Sequence, residues 1–132
     1  MSTIRLDIEH PLKSTSRNIV WKLIGTADGL SRWIADSVKL EGDTITFAWG
    51  DEWRHHETRS GTIICFDRYD RIRWRWDDDG TDSTYVEIRM ERSSLSDEFT
   101  LHITDFTPDD DTDWLRSVWQ HNFKMLGLRN GV

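Results

Sequence analysis

A chain of 132 residues is long enough to bury one substantial core and too short for two. Hydrophobic residues at 36% and charged residues at 31% suit a globular domain with a well-solvated surface, and no apolar run approaches the roughly 18 residues of a membrane span. A net charge of −7 repels a phosphate backbone, and the one basic stripe, Arg71, Arg73 and Arg75, runs straight into Asp77-Asp78-Asp79, so nucleic-acid binding is not expected.

The opening MSTIRLDIEH has acids where a signal peptide needs an apolar stretch, which argues against secretion by that route. One cysteine, Cys65, forms no internal disulfide. Its apolar neighbours Ile63, Ile64 and Phe66 predict a buried, inert thiol, and the cytoplasm is the expected compartment. The unusual feature is eight tryptophans, each a rigid apolar body that must be packed, paired or used.

In chain order, Thr3 to Glu9 alternates apolar and polar residues, the period of a half-buried strand that Pro11 ends. Ser14, Thr15 and Ser16 are helix N-cap candidates for Ile19, Val20, Leu23 and Ile24, and Gly25 closes that helix. Thr26 is a second cap, for a short helix burying Leu30, Trp33 and Ile34. Val38 and Leu40 then begin a strand, Glu41-Gly42-Asp43 is a turn, and Ile45, Phe47 and Trp49 share one face of the next strand. A long run from about Trp53 to Phe66 contains Gly61, which predicts a bulge that bends the sheet.

Ile72, Trp74 and Trp76 alternate with the three arginines, and Val86, Ile88 and Met90 alternate with Glu87, Arg89 and Glu91. A hairpin roughly symmetric about Gly80 places Arg73 opposite Glu87. The last strand turns Phe99, Leu101 and Ile103 to one face. Thr107-Pro108-Asp109-Asp110 reads as a helix start, with acids at the positive dipole end. Leu115, Val118, Trp119, Asn122, Phe123 and Leu126 form that helix's apolar stripe. No linker or repeat divides residues 1–132, so one α+β domain is expected. It is a curved antiparallel sheet of six or seven strands, in β-α-α-β-β-β-β-β-β-α order, wrapped around the C-terminal helix.

That order and three local motifs resemble the START-like (helix-grip) superfamily of the birch-pollen allergen and polyketide cyclases, with most similarity to its heat-shock ATPase-activator homologue branch. The first motif is Ile19-Val20-Trp21-Lys22-Leu23-Ile24 followed by Gly29-Leu30-Ser31-Arg32-Trp33-Ile34-Ala35-Asp36. The second is Gly42-Asp43-Thr44-Ile45-Thr46-Phe47-Ala48-Trp49-Gly50. The third is Thr104-Asp105-Phe106 leading into the helix with Trp119. The resemblance covers nearly the whole chain. It implies a groove between sheet and helix that holds lipids, sterols, polyketides or hormones in many members, while a minority are enzymes and some are protein-interaction modules. Fold alone does not choose among these. The helix stops soon after Leu128, which would shorten the groove.

The candidate ligand-binding residues are Phe47, Trp49, Trp74 and Trp76 on the sheet, Asp105 near the last strand's end, and Trp119 and Phe123 on the helix. An apolar concavity with a few polar anchors is the usual form of a small-molecule site. The competing reading is that the rings fill the core, since interiors tolerate few voids. Asp105 continues the inward register of Leu101 and Ile103 and is a carboxylate near apolar walls, with a raised pKa. The alternative, a cap on the following helix, is favoured by how often Asp occupies helix starts.

His55 and His56 lie among Asp51, Glu52 and Glu57. Adjacent strand residues point to opposite faces, and the pair left on one face, His55 and Glu57, is too few for a closed zinc site. Placing Gly80 at the sixth position of a calcium loop puts Arg75 first and Val86 twelfth, where acids are required. The run from Asp109 fails likewise. No nucleophile elbow, zinc-protease or phosphate-loop motif is present. The expectation is a non-enzymatic module for an apolar or aromatic small molecule, with no catalytic residues, metal or cofactor assigned. The alternatives are an interaction protein, homodimeric or chaperone-associated, with Trp53 and Trp114 as surface anchors, and a cyclase- or hydrolase-like enzyme using Asp105 or His55.

Overall fold

In the computed structural model, residues 3–50, 56–81 and 83–132 are described. Seven strands form one antiparallel sheet: β1 (Thr3–Pro11), β2 (Ser37–Glu41), β3 (Thr44–Gly50), β4 (His56–Asp67), β5 (Arg71–Trp76), β6 (Val86–Arg92) and β7 (Phe99–Pro108). Their spatial order is β1-β7-β6-β5-β4-β3-β2, so the first strand closes on the last and the intervening strands run as successive hairpins. Helices α1 (Arg17–Gly25) and α2 (Ala27–Leu30) link β1 to β2, and α3 (Thr112–Asn130) covers the sheet's inner face. Among the described residues no helix is long and apolar enough to cross a membrane.

The period-two pattern puts the core where the sequence places it. Ile72 and Trp74 on β5, Ile88 on β6, and Leu101 and Ile103 on β7 are almost wholly buried, and Leu126 of α3 closes over them. Arg73 pairs with Glu87 across β5 and β6, as the hairpin symmetry predicts. Both predicted caps form: Ser16 Oγ accepts from the Ile19 N–H at 3.3 Å, and Thr26 Oγ1 accepts from the Gly29 N–H at 2.9 Å. Gly42, at φ 59°, makes the left-handed turn from β2 to β3, and Gly131, at φ 65°, terminates α3.

Four sequence expectations are corrected. The bulge lies at Ile64 and not at Gly61: Ile63 pairs with Trp74 and Cys65 with Arg73, leaving Ile64 without a partner in the ladder. Gly61 keeps regular register because β5 runs too close for a side chain there; a Cβ would meet the Arg75 carbonyl oxygen at 2.8 Å. Cys65 is half-buried, not buried, since past the bulge it lies opposite Arg73 on the outer face of the sheet; its thiol donates to Asp67 at 3.4 Å.

Trp33 and Ile34 are buried in turns after α2, which ends at Leu30. Finally, Thr107 and Pro108 stay in β7, paired with Ile4 and Thr3, and the chain enters α3 through a 3-10 turn at Asp109–Asp111. A proline costs least at a ladder's end, where its missing N–H is not called on. The four acids Asp109, Asp110, Asp111 and Asp113 still lie at the helix's positive end.

Candidate functional site

Antiparallel partners share a face, so register decides which side chains meet inside the sheet. Trp49 is opposite Glu57, Phe47 opposite Arg59, Gly61 opposite Trp76, and Ile63 opposite Trp74. All of these point toward α3, which approaches with Trp114, Leu115, Val118, Trp119 and Asn122. Between them lies a groove of about 470 Å³. Its walls include five indoles, from Trp49, Trp74, Trp76, Trp114 and Trp119, with Val86 and Ile34 as further apolar surface. A recess of about 440 Å³ adjoins it beyond Trp49, Val118 and Asn122.

The sheet's rings support one another. Phe47 is completely buried and touches three tryptophans, with ring centroids 5.9 Å from Trp49, 5.2 Å from Trp74 and 5.3 Å from Trp76. Trp49 is fixed by its Nε1–H, which donates to the Ile34 carbonyl at 2.8 Å. The buried Trp74 Nε1–H has no acceptor among the described residues, an unusual cost for a folded chain. On the helix side Phe123 stacks flat on His10 at 4.2 Å and contacts Trp33 and Trp119.

The polar groups are few and differently supported. Asp105 accepts two hydrogen bonds, from the Phe106 N–H at 2.8 Å and the Trp119 Nε1–H at 2.9 Å. Burial against apolar walls pushes its carboxyl up to about 6, and these two donors hold it from rising further. Arg59 stacks on the Trp76 ring at 4.1 Å while its Nη2 reaches Asp78 at 2.8 Å and Asp79 at 3.0 Å. Asn122 is 93% buried (7% exposed), lines both hollows, and pairs its amide with no described residue.

Of the seven candidates, Trp49, Trp74, Trp76, Asp105 and Trp119 line the groove. Phe47 and Phe123 lie behind its walls as packing. Asp105 does not cap α3, because β7 continues for three residues past it. Sequence reasoning missed Glu57, Arg59 and Asp79; counting back from Gly61 by twos would have found the first two. Trp114, expected as a surface anchor, is 63% exposed and borders the groove. Trp53 and His55, with Asp51 and Glu52, lie outside the described residues. Among the described residues, no cluster of three or more His, Cys, Asp or Glu side chains suits a metal ion.

A strongly curved antiparallel sheet gripping one C-terminal helix over an aromatic hollow defines the helix-grip class of proteins. The START-like superfamily domain matches residues 1–130, and the chain belongs to that superfamily. It is 36% identical to a Bacteroides fragilis protein solved by NMR, covering 96% of this chain and 90% of that one, with a TM-score of 0.65. The Aha1 dimer of Colwellia psychrerythraea is 14% identical, with 97% and 98% of the two chains covered and a TM-score of 0.69. A crystal structure of a protein from the dynemicin biosynthetic locus is 15% identical, covering 96% of this chain and 48% of that one, at a TM-score of 0.74. No curated protein matches the chain.

Proposed function

We propose that the chain is a non-enzymatic binding module that holds an apolar or aromatic small molecule between its sheet and α3. The observation that carries this reading is the set of five indoles around one hollow of about 470 Å³, with room for a ligand of modest size. Trp74 and Trp119 are part of the core at 1% and 4% exposure. Trp49 and Trp76 are only partly buried and Trp114 is exposed, so these three rings offer the hollow surface beyond what the core uses. Among the described residues, no cluster of His, Cys, Asp or Glu suited to a metal ion accompanies the groove's carboxylates Glu57, Asp79 and Asp105, which supports binding over catalysis.

A second reading, a protein-interaction module, is favoured by one feature: Trp114 is 63% exposed, and tryptophan is enriched at interface hot spots. The dimeric state of the Colwellia Aha1 neighbour is in keeping with it. Native and denaturing mass spectra of protein purified gently from its own host separate the two. A mass excess lost on denaturation supports the small-molecule reading and gives the compound's mass. A bare chain mass overturns it, and a doubled native mass with no excess assigns the surface to a second copy.

A further inference from the structure

Resting on the small-molecule reading, we propose that the groove's ligand carries a cationic nitrogen, an organic ammonium or amidinium attached to an apolar body. Three independent features of the groove fit such a group. First, five indoles border it, and the negative quadrupole of an indole attracts cations more strongly than that of other aromatic rings. The chain already makes this contact internally: the Arg59 guanidinium sits 4.1 Å from the Trp76 ring centroid.

Second, the charge inside the groove is unbalanced. Arg59 is the one cation among the described lining residues, and Asp78 and Asp79 hold it in ion pairs. Glu57, which is exposed, and Asp105 line the same groove and neither forms an ion pair among the described residues; Arg59 attracts Asp105 only at a distance, and Asp79 opposes that attraction. Asp105 is held in place by two N–H donors, but neither brings a charge. A buried carboxylate without a counter-ion is costly, and an entering cation removes that cost.

Third, Asn122 is nine-tenths buried as a residue and borders the groove, and its amide is unpartnered among the described residues. Its carbonyl can accept from an N–H or lie against an N-methyl group. An anionic ligand gains nothing comparable, because Arg59, the one cation among the described lining residues, is already paired.

Among the described residues, the charged groups that line the groove with Asp105 are Glu57 and Arg59 of β4 and Asp79 after β5. The facing wall of α3 is uncharged, and His121 and Arg129 border only the adjoining recess.

The test titrates the 15N-labelled chain with three probes and follows the indole N–H resonances. The probes are benzyltrimethylammonium, its uncharged carbon isostere neopentylbenzene, and phenylacetate. The quaternary probe keeps its charge at every pH, so any pH dependence belongs to the protein. At pH 7.5 the cation is expected to bind at least tenfold more tightly than its isostere. That advantage should shrink toward pH 5 and fall severalfold in Asp105→Asn.

Equal binding of cation and isostere, or tightest binding of phenylacetate, overturns the cationic class and leaves small-molecule binding standing. Silence with all three probes overturns it too, while the mass measurement decides the broader reading separately. Should Asp105→Asn fail to fold, the ranking of the three probes on the unaltered chain decides the matter alone.

Discussion

The Nε1–H of Trp119, on α3, donates to Oδ2 of Asp105, on β7, across 2.9 Å, so helix and sheet are joined at the groove by one polar contact. A donor aimed at a half-buried carboxylate stabilises its ionised form. Trp119→Phe keeps the ring's bulk and removes that donor. The Asp105 carboxyl should then rise above about 6, and stability should fall by about 1–2 kcal/mol. Carboxyl-carbon NMR titration and urea unfolding read the two effects; an unchanged titration would show that the bond does not tune the acid.

Stability should also report Asp105 directly. Burial raises its folded-state value from 3.8 to about 6. Between those values the folded chain retains a proton that the unfolded chain has lost, so stability declines as pH rises through this window. The penalty is absent below the lower value and complete above the upper one. Allowing for partial exposure, it amounts to about 2 kcal/mol. Asp105→Asn has no such penalty. The difference in unfolding free energy, variant minus wild type, should therefore increase by about that amount between about pH 4 and about pH 7.5. A flat difference would mean the carboxylate is better solvated than its surroundings imply.

Gly61 holds β5 close to β4. In Gly61→Ala the new methyl would lie 2.8 Å from the Arg75 carbonyl oxygen, closer than real contacts allow, and a tight 3.0 Å from Trp74 Cδ1. Since one of those neighbours is backbone, the strand must move, at a cost of about 2 kcal/mol. Trp74 should shift with it, changing its indole N–H resonance. Wild-type stability with an unmoved Trp74 signal would count against the packing described.

Glu87 is the buried partner of two cations, with Arg73 Nη2 at 2.8 Å and Arg71 Nη1 at 3.4 Å. Glu87→Ala leaves the Arg73 guanidinium without its counter-charge, while Arg71 keeps Asp67 at 3.4 Å and Asp70 at 3.8 Å, and a loss of about 2 kcal/mol is expected. Adding Arg73→Ala should cost less than its effect in the wild-type background, because the two residues interact. A double-mutant cycle by chemical denaturation measures that coupling, and strict additivity would refute it.

The sequence alone determined which residues face inward on most strands, because period-two alternation of Ile72, Trp74 and Trp76 or of Phe99, Leu101 and Ile103 depends only on backbone geometry. The caps at Ser16 and Thr26, and the pairing of Arg73 with Glu87, followed from local chemistry and hairpin symmetry in the same way. What spacing could not supply was depth and distance.

Gly61 carries a local signal for a bulge, yet it is the approach of Arg75 that requires glycine there, and the bulge formed at Ile64. Pro108 carries a helix-start signal, yet pairing with Thr3, at the other end of the chain, holds it in the sheet. Asp105 is inward by register and has a local donor in the Phe106 N–H, but only the arrival of Trp119 from α3 gives it a partner from another element. Whether an inward ring fills the core or lines a hollow depends on how closely the helix docks. Trp119 therefore borders the groove while Phe123, one turn along the same stripe, lies behind its wall. That separation is a property of packing between distant segments, which no pattern within a single segment encodes.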